Sequence, residues 1–261
     1  MIKNPKFTIL LYHKIGMYPE NAKFPGLYVA EENFDRQIKY LKNDGYSFLT
    51  LSELKKTYDY YYADENKKNG RLNGMSETLI INNNKKYAAI TFDDGSKSVY
   101  SGGFKIMREN GVNATVFMVS GLIGGLNEWD IKNGENKDEM LNLSELKEMS
   151  EYGIEIGAHT ATHPHLTQIP LEKAFDEISN SKKKLEELLD IKINFFAYPY
   201  GDYNDDVKSL AVKAGFEGAC ITKTGIVKKG ADFFALKRVA IRHNTDFFKF
   251  KRKIFKVRLF Y

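Results

Sequence analysis

The chain has 261 residues, 43% hydrophobic and 28% charged, which is ordinary globular composition, long enough for a sizeable core, and unlike a disordered or collagenous chain. Its net charge of +5 is a mild bias, 39 Lys and Arg scattered among 34 Asp and Glu; it suits an anionic partner such as a phosphorylated carbohydrate carrier, and equally a merely soluble surface. The one cysteine, Cys220, excludes an intramolecular disulfide framework and any Cys-rich zinc site.

Taken in chain order, the first element is an apolar run, Phe7 to Tyr12, interrupted by His13 and Lys14. It is too short for a signal-peptide core or a bilayer span, so it reads as a buried strand and the chain as cytoplasmic. Glu32 to Asn43 sets Phe34, Ile38 and Leu41 at helical spacing, with Gly45 as a C-terminal cap. Lys55 to Lys86 reads as a helix fading into a polar loop with room for a small hairpin, and Tyr87 to Phe92 as the next strand. A helix–glycine–strand rhythm then recurs. Gly111 precedes the strand Ala114 to Val119, Gly153 precedes Ile154 to Ala158, and Gly215 precedes Gly218 to Thr222. Leu171 to Leu189 is the longest helix, with Pro170 in a favourable first-turn position, and leads to the strand Ile193 to Ala197. The C-terminal stretch, Phe247 to Tyr261, interleaves Phe with Lys and Arg. It reads as a terminal helix packing its phenylalanines on the barrel with its cations in water; a basic membrane-surface helix is the alternative.

Repeated helix–glycine–strand units predict right-handed βαβ connections and a parallel sheet. The expected fold is α/β, a (β/α) barrel in one domain over residues 1–261, with an open doubly wound sheet as the alternative. Neither G-x-G-x-x-G nor G-x-x-x-x-G-K occurs, and nothing points to nucleotide or nucleic acid.

Chemistry collects where strands end. Tyr87 to Phe92 runs into Asp93-Asp94-Gly95, two adjacent carboxylates whose repulsion calls for a cation or a shared proton. Ile154 to Ala158 runs into His159-Thr160-Ala161-Thr162-His163-Pro164-His165, three of the five histidines within seven residues. Pro164 disfavours helix at His163, so this is a loop or a single turn. Two imidazoles and one carboxylate, with positions left for water, make a typical catalytic zinc or iron site. The third strand end, Ala197-Tyr198-Pro199-Tyr200-Gly201, is by itself a rigid turn.

Together, Thr91 to Gly95, His159 to His163 and Ala197 to Gly201 resemble, in order and spacing, the first three motifs of the polysaccharide deacetylase family, carbohydrate esterase family 4. Leu11-Tyr12-His13 and Asn127-Glu128-Trp129-Asp130 resemble a subgroup of it. The resemblance spans residues 7 to 255 and implies a distorted, incomplete (β/α) barrel. It implies one divalent metal, usually zinc with cobalt, nickel, manganese or iron as alternatives, held by Asp94, His159 and His163. It also implies Asp93 as general base and the backbone N–H of Tyr200 as an oxyanion donor. The implied enzyme is a hydrolase of carbon–nitrogen bonds other than peptides, removing N-acetyl groups from an amino-sugar polymer or glycan precursor.

Two departures stand out. The motif arginine that orients the base is replaced by Ala197, and its usual partner is not identifiable around Gly218 to Ile221. The general acid is the other: Ile241-Arg242-His243 fits the family's late leucine-x-histidine motif loosely, with His165 and His13 as further candidates. Trp129, Tyr200 and His13 are candidate substrate contacts. Two other readings remain open: a metal-dependent hydrolase of a non-sugar amide or imide, and a catalytically weak carbohydrate-binding protein on the same fold.

Overall fold

The computed structural model describes residues 5–62 and 86–260; the expected hairpin before Lys86 lies outside the described residues. Among the described residues ten strands follow in chain order: β1 (Lys6–Tyr12), β2 (Lys14–Ile15), β3 (Tyr28–Val29), β4 (Tyr46–Phe48), β5 (Lys86–Phe92), β6 (Thr115–Met118), β7 (Glu155–Ala158), β8 (Phe195–Ala197), β9 (Gly218–Cys220) and β10 (Val239–Ala240). Helices α1 (Glu31–Asn43), α2 (Leu51–Tyr62), α3 (Lys105–Asn110), α4 (Glu128–Lys132), α5 (Leu143–Tyr152), α6 (Leu171–Leu189), α7 (Asp205–Lys213) and α8 (Phe247–Phe260) intervene or follow. Pro170 is the N-cap of α6, one residue earlier than expected. The glycine punctuation is real: α3 and α5 end at Gly111 and Gly153 in the left-handed conformation, which costs glycine no Cβ clash.

All pairings of the main sheet are parallel, in the order β10-β1-β5-β6-β7-β8-β9, with β4 beside the start of β5. Leu236 bridges to Cys220 of β9, and Val239, three residues on, pairs with Leu10 of β1. The segment 236–240 therefore reaches from one edge toward the other and curls the sheet into an incomplete barrel. Two of its members were not anticipated, β4 with three residues and β10 with two, both too short to carry a period-2 signal of their own.

The strands alternate strictly between two cores. Phe7 and Ile9, Tyr87 and Ala89, Phe117, Phe195 and Ala197, Cys220 and Leu236 form one cluster, completed by Leu51 and Leu54 of α2. Their neighbours Leu10, Ala88, Ile90, Val116, Phe196, Ala219 and Val239 join the helices in the larger one. The first cluster is the barrel interior. Continuing the alternation past the strand ends keeps His13, Asp93, His159 and Arg238 in phase with that interior, and this parity positions the site. No helix among the described residues is long and apolar enough to cross a membrane.

Candidate active site and metal centre

Asp93 follows the inward residues Tyr87, Ala89 and Thr91, and its amide donates to the Tyr12 carbonyl at 3.0 Å. The backbone then swings left-handed through Asp94 (φ 74°) and Gly95 (φ 81°). A Cβ on Gly95 would lie 2.3 Å from Met118 Sδ, so only glycine lets the turn sit this close to β6. Asp93 thus points into the barrel while Asp94 is turned toward the end of β7.

There, His159 donates its amide to the Met118 carbonyl at 3.0 Å, and its Nδ1 lies 2.7 Å from the Ala197 carbonyl. A carbonyl can only accept, so Nδ1 carries the proton and Nε2 presents a lone pair. The loop onward is stapled from outside by Glu177 of α6, whose carboxylate accepts the amides of Ala161 and Thr162 at 2.9 and 2.8 Å and the Thr162 hydroxyl at 2.7 Å. That staple holds Thr160 and His163 at φ 66° and 67°, and the His163 amide donates to Thr160 Oγ1 at 2.9 Å. Among the described residues the buried Nδ1 of His163 has no hydrogen-bond partner. Aromatic packing orients the ring instead: Trp129 stacks on it at 4.4 Å and Tyr200 meets it edge-on at 4.6 Å.

His159 Nε2 and His163 Nε2 lie 3.4 and 3.3 Å from one Asp94 oxygen. The three donor atoms all fall within 4.8 Å of one another, on three buried residues. Burial alone would raise the Asp94 carboxyl, but hydrogen bonds from the two imidazoles, when their Nε2 atoms carry protons, hold it well below the usual carboxylate range; a metal ion would take the place of those protons. Two neutral imidazole nitrogens and one ionised carboxylate, converging with their lone pairs, fit a zinc-like divalent ion.

Arg238, fully buried, answers the departure at Ala197. Its Nη1 and Nη2 each donate to an oxygen of Asp93 at 2.6 Å, Nη1 also reaches Thr91 Oγ1, and Nε donates to the Ile221 carbonyl. Burial would raise the Asp93 carboxyl, and the guanidinium outweighs it, so the group is held below its ordinary value. Asp93 thus has an arginine partner, delivered from the residue just before β10. Ala197 contributes a carbonyl instead, on His159.

The remaining candidates separate. His13 lines a groove of about 550 Å³ with Phe24, Asp130, Tyr200, Thr222 and Arg242. Burial lowers its pKa against the pull of Asp94 and Asp93. Asp130, missed as a candidate, has its carboxyl pushed up to about 7, first by burial and then by Asp94. Tyr200, at φ 61°, stacks its exposed ring on His165 at 3.9 Å. Trp129 is buried, with a face on His163. His243 is exposed and meets Tyr18, so the structure does not bring it to the cluster. Five described non-glycine residues have positive φ, and Asp94, Thr160, His163 and Tyr200 are four of them; backbone strain concentrates here, as it does at working sites.

The family model for polysaccharide deacetylases matches residues 81–219. A poly-β-1,6-N-acetyl-D-glucosamine N-deacetylase of Staphylococcus aureus is 29% identical over 230 residues, covering 84% of this chain and 70% of the relative. Among solved structures, a Streptococcus pyogenes deacetylase in complex with acetate superposes with a TM-score of 0.74 and 25% identity, over 98% of this chain and 99% of that one. A polysaccharide deacetylase from Bacillus cereus does so with a TM-score of 0.74 and 28% identity, over 96% and 69%.

Proposed function

Since the chain belongs to the polysaccharide deacetylase family, we propose that it removes N-acetyl groups from an amino-sugar polymer, with one divalent metal held by Asp94, His159 and His163. The observation that carries this reading is the convergence of those three donors beside an ionised, arginine-clamped Asp93.

When bound, such an ion acts as a Lewis acid, lowering the pKa of water and polarising the acyl carbonyl. The protein's own residues do the rest. Asp93, kept ionised by Arg238, takes the proton of the attacking water as that water adds to the amide carbon. The Tyr200 backbone N–H donates to the oxygen on which charge develops, a contact worth about 10²–10³ in rate in comparable sites. The C–N bond then breaks, and the amine must leave protonated. His13 faces the groove beside both carboxylates, which makes it the residue placed to relay to the amine the proton that Asp93 took from the water. Asp130 and the Tyr200 ring line the same groove and supply a polar acceptor and an apolar face for a sugar.

The test is acetate release from partly N-acetylated β-1,6-linked glucosamine oligomers. Wild-type protein should release acetate when loaded with zinc or cobalt, and Asp93→Asn should keep its metal while losing at least about 10² of the rate. Full activity in Asp93→Asn would refute the assignment of the base, and hydrolysis confined to non-sugar imides would refute the substrate class.

A further inference from the structure

We propose that helix α8 is a peripheral docking surface for an anionic lipid bilayer. The sequence Phe247–Phe260 carries six cations, Lys249, Lys251, Arg252, Lys253, Lys256 and Arg258, and no carboxylate. The chain as a whole is +5, so +5 less these six leaves −1 for everything else. The positive charge of this protein is the charge of one helix.

That helix shows two apolar faces. Phe250, Ile254 and Val257 are buried, with Tyr40 of α1 edge-on to Phe247 and Phe250 and Lys253 Nζ donating to the Ala240 carbonyl at 2.7 Å. This is ordinary packing and holds the helix in place. The second face points outward: Phe248 is 76% exposed, Phe255 60% and Leu259 60%, and the first two are the only exposed phenylalanines among the described residues. At about 100° per residue, the three align in a stripe narrower than a quarter turn. Lys251 borders it on one side, Arg252 and Lys256 on the other. No carboxylate lies within ion-pair distance of those three cations among the described residues, whereas Lys249 is paired with Asp246 at 3.4 Å.

Solvent-facing phenylalanines cost solubility and contribute nothing to the fold. A stripe of them between cations matches the two layers of a bilayer surface, acyl boundary and anionic headgroup. A second copy of the chain would bring six more cations against the same six, which opposes self-association through this face. A polyanionic glycan would use the cations and leave the stripe unexplained.

The full-length, metal-loaded protein should sediment with vesicles containing roughly 30% phosphatidylglycerol and not with pure phosphatidylcholine, and the partition should weaken as salt rises. Replacing Phe248, Phe255 and Leu259 together by Ser should lower that partition about tenfold or more, with the Tm unchanged because the buried face is untouched. Lys251→Glu with Lys256→Glu should lower it as well. Binding to neither vesicle would overturn the proposal. So would binding that the serine substitutions leave intact, which would indicate attraction to any polyanion. A dimer that the same substitutions dissociate would assign the stripe to self-association instead.

Discussion

At the level of single residues, the pair Asp93–Arg238 decides most. Both carboxylate oxygens are used by the guanidinium and both side chains are buried. Removing one partner of such a pair costs more than the pair itself is worth, because a charge stays behind without water or counter-ion. Arg238→Met should destabilise the fold by about 3–5 kcal/mol in chemical denaturation, and adding Asp93→Asn should restore part of that loss. The pH dependence has a definite sign. A carboxyl depressed in the folded state contributes stability that is present above its ordinary value and is lost as pH falls through the folded one. The gap between wild type and Arg238→Met should therefore be widest near neutral pH and narrow below about pH 4. The two histidine candidates separate in the same kind of test. His13→Ala should cost about 10²–10⁴ in kcat, while His243→Ala, at an exposed ring that packs on Tyr18, should leave it unchanged. The reverse ranking would return the acid to His243.

At the level of elements, the site depends on a loop held by a helix. Glu177 projects from α6 and accepts three hydrogen bonds from Ala161 and Thr162, between His159 and His163. Glu177→Ala should lower metal affinity by about 10–100-fold, read by competition with a chelator, with only a small change in Tm because the staple is at the surface. Undiminished affinity would show that aromatic packing alone positions His163. What was legible in the sequence follows the same scale. Each motif segment is continuous, sits at one strand end and brings its own turn, so Asp93, Asp94, His159 and His163 could be picked out without knowing the fold. Arg238 could not, since it lies 145 residues from Asp93 and precedes a strand of two residues. Its role exists only once the sheet curls and the segment 236–240 meets both β9 and β1. A sequence signal was nonetheless present: Leu236, Arg238 and Ala240 alternate with period two, and a lone Arg in phase with inward apolar positions asks for a buried anion. The outward face of α8 was equally hidden, because spacing alone does not tell which of two apolar stripes the barrel covers.

At the level of the whole molecule, strand parity divides structure from chemistry. Inward positions such as Phe7, Tyr87 and Phe195 are apolar where strands begin, with Thr115 and Glu155 as a hydrogen-bonded polar pair among them, and become His13, Asp93 and His159 where strands finish. One fold supplies a dry, packed floor and a polar rim, and the floor keeps the dielectric low under Asp93 and Arg238. A metal bound only by the folded rim must stabilise the whole: at a free metal concentration about 100 times its Kd, the gain is about 2.7 kcal/mol, so zinc should raise the Tm of chelated wild type and not that of Asp94→Ala. The most direct test of the central claim couples that metal to turnover. Chelated protein is titrated with zinc or cobalt while acetate release from a partly N-acetylated glucosamine oligomer is followed. The expected result is activity that rises from baseline and saturates at one equivalent of metal per chain, and that is lost in Asp94→Ala, His159→Ala and His163→Ala. Acetate release that is independent of added metal, or that persists in those three variants, would contradict it.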